Sequence, residues 1–561
     1  MNCTLVSLHS QYIHSSTVPY CLQAGIRRWG DERIRVQITE GTVNEQVAAV
    51  AERILDTQPQ VVGIACYIWN IAFVWELTRT LKVTSEPPLI ILGGPEVSYY
   101  AEKYLDDHPE IDYILSGEGE ESLPGLLNAV LRGDDVKKVP GVCLRGHISE
   151  PVIGTGTPVK PDPAEYAAAL HGRIAYWETS RGCPYSCAFC LSGRCGSVRF
   201  YDPEESKREL IALAQHGART IKLVDRTFNA NPARARDFWA YLIEQSRAGV
   251  IPAGTCYHFE IAGDILDEES IRLLGSAPVG LFQLEIGMQS FHEPTLSAIH
   301  RKTNTTRLRE NIRRLLIPGN MHIHIDLIAG LPLEDLDTFA DSFRIGWKLG
   351  AHMLQLGFLK LLHGADMREC PEEYPCTFRE TPPYEVTSTP WLTEADLAVI
   401  HDVEDSLDRL VNSGRFRRTV AYLTDTLAND PWELLRTFGA SVRDAGRMPL
   451  EEYMECFFRF CTENPRWGAD ARILRDCMVC DRLATNQSGF IPAFLKREDR
   501  QLRVVRNDLE RTRPQNVRRV CALLYGAEYA DEHHITAVWA DYTVPNPITH
   551  EYELHFMKVS R

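Results

Sequence analysis

The sequence has few of the features that would place a protein in a membrane or on nucleic acid. Its 60 lysines and arginines are outnumbered by 76 aspartates and glutamates, which gives a formal net charge of -16. Wide binding of nucleic-acid phosphates relies on Lys and Arg, so we expect no extended nucleic-acid interface. The first nine residues hold a short apolar stretch without a basic leader. We therefore expect neither a secretion signal nor a membrane span.

Without a secretion signal, the 16 cysteines point to a reducing compartment. Disulfides persist in oxidising compartments, whereas cytoplasmic thiols stay reduced. We therefore expect a cytoplasmic protein and no disulfide network. At 561 residues the chain is too long for one ordinary core, which predicts about three domains.

The dinucleotide pattern Gly-x-Gly-x-x-Gly is also missing after the first predicted strand, so a nicotinamide cofactor is not favoured. What residues 1–145 do show is apolar runs that alternate with helical periodicity, which predicts a doubly wound parallel sheet of the α/β class. The predicted strands are 4–8, 33–39, 61–66, 89–92 and 113–116. The predicted helices are 18–29, 45–57, 72–82, 98–105 and 121–131.

Three cysteines then follow an apolar run with the spacing Cys-x3-Cys-x2-Cys: Cys183, Cys187 and Cys190. This loop offers three thiolates to one [4Fe-4S] cluster and leaves the fourth iron without a protein ligand. An open iron can bind and activate a substrate, as an open catalytic metal position does. The alternatives are a zinc knuckle or three unrelated buried cysteines. Zinc normally needs a fourth Cys or His at knuckle spacing, and no nearby residue is well placed, although Cys195 lies five positions on.

The run 178–190 resembles the signature of the radical S-adenosylmethionine (radical SAM) enzymes. Phe189 before the third cysteine and Arg181-Gly182 before the first fit that pattern. The resemblance implies that the open iron holds the amino and carboxylate groups of S-adenosylmethionine. It also implies that electron transfer from the cluster yields a 5'-deoxyadenosyl radical.

A second set of alternating elements predicts a partial (βα)6 barrel over 173–375, with the cysteine loop after its first strand. Barrel chemistry is usually located at that carboxyl edge of the strands. The predicted strands are 174–179, 220–224, 255–260, 281–286, 322–328 and 353–359. The helices predicted between them include 204–216, 233–247 and 335–349.

The ends of the later strands resemble segments that contact the cofactor in cobalamin-type radical SAM enzymes. Carboxylates there can accept hydrogen bonds from ribose hydroxyls or an ammonium group. The residues expected to contact S-adenosylmethionine are Phe189, Asp225, Asn229, Glu260, Glu285, Gln289, Arg301, Ile328 and Gly330. Each glutamate alternatively pairs with a basic residue of the barrel, for which Lys222, Arg226 and Arg301 are candidates.

Glycine-rich loops after the fourth and fifth strands of the first sheet, with 66–70 after the third, resemble the cobalamin-binding domain found ahead of many radical SAM modules. The pattern Asp-x-His-x-x-Gly is absent after the first strand, so we expect no histidine ligand to cobalt of that kind. The residues expected to contact cobalamin are Tyr12, Cys66, Trp69, Gly93, Gly94, Glu96, Gly117, Glu118 and Gly119. The alternative is a flavodoxin-like scaffold whose tight turns hold no ligand.

The remaining segments complete a prediction of three domains. Several prolines in 146–172 predict a linker, and 376–561 is predicted to be a mainly helical domain that ends in a hairpin over 535–558. Cysteines 456, 461, 477 and 480 lie there, with a zinc-like Cys-x2-Cys spacing in the last pair. Because the first two stand among phenylalanines, buried packing is favoured over a second metal site.

Together these features resemble an uncharacterised family of cobalamin-type radical SAM proteins with its own C-terminal domain of unknown function. The resemblance implies radical methylation of an unactivated carbon, with a reductant such as a flavodoxin or ferredoxin. Ring formation, rearrangement or oxidation without methyl transfer is an alternative. A methylthiolating transfer-RNA enzyme would need three more cluster cysteines, whose arrangement Cys3, Cys21 and Cys66 do not reproduce. A cobalamin-binding regulatory protein with a decayed barrel is the non-enzymatic alternative.

Overall fold

The structure is a computed structural model that describes residues 1–446, 448–488, 490–497, 501–505, 507 and 521–560. Its first part is a six-stranded sheet in the order β2-β1-β3-β4-β5-β6, parallel except for the last pair. The strands are β1 (Asn2–His9), β2 (Arg35–Thr42), β3 (Val61–Ala65), β4 (Leu89–Gly93), β5 (Tyr113–Leu115) and β6 (Val142–Cys143). The helices are α1 (Val18–Trp29), α2 (Val47–Leu55), α3 (Ile71–Lys82), α4 (Pro95–Ser98), α5 (Ala101–Asp107) and α6 (Gly119–Arg132).

The doubly wound α/β arrangement of the first sheet is confirmed, but one predicted helix is wrong. In place of a helix over 98–105, α4 and α5 are separated at Tyr99 and Tyr100. Both rings pack against the end of the barrel: Tyr99 contacts Gly364, and Tyr100 stacks on His363 with ring centroids 4.1 Å apart. This long-range packing interrupts a local periodicity that otherwise favours one continuous helix.

The segment 146–172, predicted as a linker, is pinned to the carboxyl edge of the first sheet. The Val152 N–H donates to the Ser116 carbonyl, and the Glu118 N–H donates to the Val152 carbonyl, at 3.0 and 2.9 Å. Further on, α7 (Pro163–Ala169) begins where the Asp162 carboxylate accepts two backbone N–H groups. The segment therefore forms part of the wall of the first domain.

The second sheet has the order β14-β13-β12-β11-β10-β7, and all of its strands are parallel. After β7 (Ala175–Trp177), a short antiparallel ribbon of β8 (Ser180–Arg181) and β9 (Arg199–Phe200) encloses the cysteine loop. The other strands are β10 (Thr220–Leu223), β11 (Cys256–Ile261), β12 (Phe282–Gln289), β13 (His322–Ala329) and β14 (Met353–Phe358). The helices are α8 (Pro203–Gln215), α9 (Pro232–Arg247), α10 (Glu268–Gly275), α11 (Glu293–Ala298), α12 (Thr305–Leu316), α13 (Leu336–Trp347) and α14 (Asp366–Glu369).

Several barrel helices begin at a polar capping residue, and two of them have a proline at the first position. Asp202 caps α8, Asn231 caps α9 and Asp335 caps α13, each by accepting a backbone N–H of the first turn. Such a cap contributes about 1 kcal/mol to a helix. Pro occupies the first position of α8 and α9, where its missing N–H costs nothing. The sequence analysis did not identify α10 and α12.

The C-terminal part begins with a small ribbon, β15 (Thr377–Phe378) and β16 (Val386–Ser388), and is mainly helical. Its helices are α15 (Glu394–Leu407), α16 (Arg417–Ala421), α17 (Pro431–Val442), α18 (Leu450–Glu463) and α19 (Ala471–Thr485). The predicted hairpin is confirmed and carries a third strand, giving β17 (Cys521–Leu524), β18 (His534–Asp541) and β19 (Glu553–Ser560). Cys461, Cys477 and Cys480 are buried in this core, and burial raises the pKa of all three thiols.

The C-terminal part also covers the open edge of the barrel sheet. The side-chain amide of Asn412 accepts the Leu354 N–H and donates to the Leu354 carbonyl, at 3.1 and 2.9 Å. It therefore occupies the place of a neighbouring strand on β14, which protects an edge that would otherwise invite pairing. None of the described helices is long and apolar enough to cross a membrane.

One buried carboxyl joins the end of β12 to α13. Glu334 is fully buried, and the hydroxyls of Ser290 and Ser342 donate to its Oε1. Its Oε2 is buried without a partner in the described part of the chain. Burial raises the pKa of Glu334 to about 7.

This pKa predicts how stability depends on pH. Between the ordinary glutamate pKa and about 7, the unfolded chain releases the Glu334 proton while the folded chain keeps it, so unfolding becomes easier as pH rises. We expect Glu334→Gln to remove about 2 to 3 kcal/mol of that pH-dependent loss, measured by denaturant unfolding at about pH 5 and pH 8. Substitution of the exposed Glu372 by Gln is the control. A wild-type pH slope retained in Glu334→Gln would contradict this assignment.

Candidate active site

The cysteine loop lies between β8 and β9 at the carboxyl edge of the barrel sheet and carries Cys183, Cys187 and Cys190. Each sulfur has a polar neighbour. Thr227 Oγ1 lies 3.5 Å from Cys183 Sγ, the Ser192 N–H donates to Cys190 Sγ, and Arg301 Nη1 lies 3.8 Å from Cys187 Sγ. Burial raises the pKa of the Cys187 thiol, and the Arg301 cation opposes that rise. A cation and hydrogen-bond donors beside the sulfurs favour the thiolate form that metal binding requires.

The distances between the three cysteine sulfurs distinguish a site for an iron-sulfur cluster from a site for a single metal ion. In the described part of the chain, the ligand atoms of Glu285, His324 and Asp326 meet within 4.8 Å, and those of the three cysteines do not. A [4Fe-4S] cluster binds each thiolate to a different iron, so its ligands stand further apart than those of one zinc ion. The donor set therefore fits a cluster.

Two polar groups near the cysteine loop are buried without a partner among the described residues, Gln289 Oε1 and Arg301 Nε. Gln289 has a φ of 70°, and its side chain lies so close over Gly287 that a Cβ there would be 2.3 Å from Gln289 Nε2. Arg301 donates from its Nη2 to the Gly287 carbonyl. Because buried polar groups normally have partners, these atoms fit a polar ligand such as S-adenosylmethionine beside Cys187.

Glu285 is held as an anion by residues on β10 and β11. Lys222 Nζ donates to Glu285 Oε2 at 2.9 Å, and His258 Nε2 lies 3.0 Å from the same oxygen. Burial opposes ionisation, but these partners outweigh it and hold the pKa of Glu285 far below its usual range. Glu260 is further from its cations, 3.7 Å from Lys222 and 3.9 Å from Arg226, and burial raises its pKa. Two of the basic partners considered for these glutamates, Lys222 and Arg226, therefore lie beside them, whereas Arg301 contacts Cys187 and the Gly287 carbonyl.

Polar residues line the interior of the barrel. In the parallel register, His258 stands beside Gln283, Glu285 beside His324, and Asp326 beside Gln355. Closed barrels usually fill this space with branched apolar side chains. His324 Nε2 lies 2.8 Å from Asp326 Oδ1, and although burial alone would lower the pKa of His324, Asp326 raises it. The interior therefore suits a polar ligand, and the Lys222 ammonium already supplies the positive charge beside Glu285.

Asp225 and Asn229, predicted to contact S-adenosylmethionine, are committed to the protein itself. Asp225 is fully buried and accepts hydrogen bonds from the Thr179 N–H and from the hydroxyls of Thr179 and Ser180. The Asn229 side chain donates to the Ala262 carbonyl and accepts the Ala262 N–H, at 2.8 and 2.9 Å. These side chains shape the loops at the barrel mouth, and their contact with S-adenosylmethionine stays a prediction.

The structure packs three other residues predicted to contact S-adenosylmethionine against the protein: Gly330, Ile328 and Phe189. Gly330 has a φ of 91°, and a Cβ there would lie 2.6 Å from the Val386 side chain, so β16 occupies the close approach expected of the cofactor. Ile328 and Phe189 are half-buried and pack against the main core. The carboxyl end of β13 is therefore partly closed by the C-terminal part of the chain.

A cavity of about 420 Å³ lies where the carboxyl ends of the two sheets face each other. Gly182, Leu191 and Ser192, which flank the three cysteines, line it on the barrel side. On the other side it extends between α1, α6 and the first sheet as an apolar slot lined by Leu22, Gly63, Ile91, Leu115 and Leu123. A slot beside a glycine-rich sheet edge fits a large flat cofactor with an appended nucleotide.

The structure divides the residues predicted to contact cobalamin. Those that line the cavity are Gly93, Gly94, Gly117, Glu118 and Gly119. Tyr12 is 69% exposed and Trp69 is 51% exposed, stacked on the cavity residue Tyr67. Cys66 is fully buried with its thiol toward the Ile64 carbonyl. The cavity also includes Pro151, Val152 and Ile153 of the predicted linker, which the sequence did not single out.

The loop glycines have different reasons to be glycine. A Cβ on Gly94 would lie 2.5 Å from the Cys66 carbonyl oxygen, and one on Gly117 would lie 2.3 Å from the Val152 backbone, so the protein itself requires both. A Cβ on Gly93 would make only ordinary contacts, at 3.7 Å and beyond. Gly93 lines the cavity, so its bare backbone serves the space beside it. This is the position that best fits a cofactor lying against the sheet edge.

Arg181 joins the first domain to the cysteine loop. Its guanidinium lies 3.0 Å from Glu118, 2.9 Å from Glu120 and 2.8 Å from Glu178. Burial would lower its pKa, but the carboxylates of Glu120 and Glu178 raise it. Because Gly182 and Cys183 follow it directly, this one side chain ties the Gly117–Glu120 loop to the start of the cysteine loop.

Three protein families match successive parts of the chain. Residues 26–127 match the B12 binding domain, 177–344 match the radical SAM superfamily, and 372–535 match a protein of unknown function, DUF4080.

Curated relatives match about half of the chain. The chain is 29% identical over 315 residues to the 2-(S-pantetheinyl)-carbapenam-3-carboxylate methyltransferase of Streptantibioticus cattleyicolor, which covers 53% of this chain and 46% of that protein. It is 27% identical over 328 residues to the cobalamin-dependent radical SAM methyltransferase TokK of Streptomyces tokunonensis, covering 54% and 47%. The chain therefore spans about half the length of these curated relatives.

A solved structure shares the fold over most of the chain. The cobalamin-dependent S-adenosylmethionine radical enzyme OxsB, with aqua-cobalamin bound, superposes with a TM-score of 0.58 at 15% identity. The match covers 91% of this chain and 81% of that one.

The ion pairs of Arg181 predict that its loss destabilises the protein more than the loss of an exposed arginine does. Arg181→Met leaves three carboxylates around an unfilled, largely buried space, so we expect a loss of about 3 kcal/mol of unfolding free energy, measured by denaturant unfolding of the full chain. Arg27→Met is the matched control, because Arg27 pairs with Glu165 of α7 on an exposed surface, where such pairs contribute about 0 to 1 kcal/mol. Equal losses in the two variants would contradict the clamp assigned to Arg181.

Proposed function

Because the chain belongs to the cobalamin-binding radical SAM proteins, we propose that it is an enzyme that uses a [4Fe-4S] cluster, S-adenosylmethionine and cobalamin to methylate an unactivated carbon. The observation that carries the proposal is the shared cavity. Residues on both sides of the three cysteines line the same space as Gly93, Gly94 and Gly117 of the first sheet. Two cofactors held at these edges would lie across one cavity from each other.

When bound, the cluster supplies the electron that splits S-adenosylmethionine, and cobalamin supplies the methyl group. The residues of this chain bind and orient. In the proposal, Cys183, Cys187 and Cys190 hold the cluster, and the Arg301 cation offsets the negative charge of the thiolates from 3.8 Å. The orphaned Gln289 Oε1 and Arg301 Nε bind polar atoms of S-adenosylmethionine.

The charges of the groups inside the barrel suit a polar cofactor. Lys222 and His258 keep Glu285 ionised, so it presents a fixed negative charge. Glu260, whose pKa is raised by burial, gains most from a new donor such as a ribose hydroxyl or an ammonium group.

The proposal extends to the setting of the reaction. The chemistry needs two electrons from outside the protein, one to cleave S-adenosylmethionine reductively and one to return cobalamin to its methyl-accepting oxidation state, and a flavodoxin or ferredoxin is a suitable reductant. The 16 cysteines suit a reducing compartment, so we propose a cytoplasmic location.

The test measures two products from S-adenosylmethionine. The anaerobically reconstituted full-length protein, loaded with hydroxocobalamin and reduced with dithionite, should release 5'-deoxyadenosine from reductive cleavage and S-adenosylhomocysteine from methyl transfer. Cys187→Ala should abolish 5'-deoxyadenosine, because two cysteines cannot hold the cluster in place. Both products are quantified by liquid chromatography with mass spectrometry.

The control is Cys370→Ala, which removes an exposed cysteine outside the loop and should leave both products at wild-type levels. Undiminished 5'-deoxyadenosine from Cys187→Ala would overturn the assignment of the loop. Wild-type 5'-deoxyadenosine without S-adenosylhomocysteine would replace methylation with ring formation, rearrangement or oxidation. The absence of both products from the wild type would leave a cobalamin-binding regulatory protein as the function.

A further inference from the structure

The buried carboxylate of Glu96 accepts a hydrogen bond from Tyr384, a residue that follows the barrel in the chain. Glu96, on α4 directly after Gly93-Gly94, is 4% exposed. Its Oε1 accepts hydrogen bonds from Tyr104 of its own domain and from Tyr384, 288 residues away in sequence. Tyr384 is 3% exposed and lies inside the region matched by DUF4080. A carboxylate expected to contact cobalamin thus belongs to a junction between the first and last parts of the chain.

The junction is a closed hydrogen-bond network. The Tyr104 and Tyr384 hydroxyls lie 3.0 Å apart, and His363 Nε2 lies 3.3 Å from the Tyr104 hydroxyl. With both tyrosines donating to Glu96, the Tyr104 oxygen is free to accept the His363 N–H. Removal of one donor would leave a buried carboxylate short of a partner, which is costly. All four side chains are buried, so water does not readily replace the lost partner.

Tyr384 is fixed in place independently of Glu96. Its carbonyl accepts the Leu361 N–H, and the next but one residue, Val386, donates its N–H to the Leu359 carbonyl, both at 3.0 Å. The Arg368 guanidinium lies 4.6 Å above the Tyr384 ring. Tyr384 has a φ of 56°, a conformation that costs free energy in a non-glycine residue and persists where surrounding contacts impose it. The barrel end therefore holds the hydroxyl rigidly against α4.

The loop that receives this contact forms one wall of the cavity. Gly93, Gly94, Pro95, Ser98 and Tyr99 all line it. Outside the loop, a Cβ on Gly364 would lie 2.5 Å from the Tyr99 ring, and His363 stacks on Tyr100. Residues 363, 364 and 384 therefore pack against residues 96–100, which include part of this loop.

We propose that the C-terminal domain sets the shape of the cobalamin site, with Tyr384 as a positioning residue that holds the 93–99 loop through Glu96. This inference rests on the proposed cobalamin site, and it assigns a role to a domain whose function the family description leaves open. Tyr384 and Glu96 act on the cofactor through the loop backbone. Their loss should weaken corrinoid binding without removing the cysteine loop.

The experiment measures hydroxocobalamin binding to the full-length protein by absorbance titration. Tyr384→Phe removes only the hydroxyl, and Glu96→Gln keeps the size of the side chain while removing its charge. We expect each variant to bind hydroxocobalamin at least about tenfold more weakly than wild type, as the loss of one buried hydrogen bond predicts. The double variant should be no weaker than the worse single variant, because both act through one contact.

Two readouts separate positioning from general damage. Iron and sulfide content after anaerobic reconstitution should stay at the wild-type level, which shows that the barrel is folded. Tyr422→Phe is the matched control, because its hydroxyl is an acceptor for the Asp470 N–H within the C-terminal domain, far from the loop in sequence. That variant should bind hydroxocobalamin as wild type does.

Wild-type affinity in both Tyr384→Phe and Glu96→Gln would overturn this inference while leaving the proposed function intact. An equal loss of affinity in Tyr422→Phe would also overturn it, because any buried hydroxyl would then have the same effect. Failure of the wild type itself to bind hydroxocobalamin would overturn both the inference and the cobalamin part of the proposed function.

Discussion

The constraint on which the structure depends is that one short loop provides three thiolates. A [4Fe-4S] cluster held in this way keeps one iron without a protein ligand, so other elements must supply what the loop cannot. Arg301 places a cation 3.8 Å from Cys187, Thr227 places a hydroxyl beside Cys183, and Asp225 fixes the backbone just before the loop. Charge balance at the loop thus comes from the segment that follows β12, and hydrogen bonding and backbone position come from the segment that follows β10.

A second constraint is that two parallel sheets must present their carboxyl ends to one cavity. Ion pairs and aromatic contacts hold the facing edges of the two sheets together. Arg181 binds carboxylates of the first domain next to the cysteine loop, while Tyr384 contacts Glu96 of the 93–99 loop and His363 stacks on Tyr100 just after it. The 146–172 segment, which was predicted to be a linker, forms another side of the cavity because Val152 pairs with Gly117. The walls of the cavity therefore come from the first domain, the 146–172 segment and the barrel.

Much of this fold could be predicted from the sequence, because local patterns decide it. The helix over 18–29 was predicted at its observed bounds, and each barrel strand lies within three residues of its prediction at both ends. Side-chain roles that depend on distant partners could not be predicted in the same way. Asn229 is committed to Ala262, Glu96 to Tyr384, and Gly330 to the close approach of Val386, and none of these pairs is marked by a local pattern. For the same reason α19, which buries Asp476 and Asp481 in long-range hydrogen bonds, was missed.

The central claim is that one chain holds an iron-sulfur cluster and a corrinoid at facing edges of one cavity. Metal analysis of the anaerobically purified protein, reconstituted with iron, sulfide and hydroxocobalamin and then desalted, tests it most directly. The account predicts about four iron atoms and one cobalt per chain. Protein that retains the iron but no cobalt, or cobalt but no iron, would contradict it.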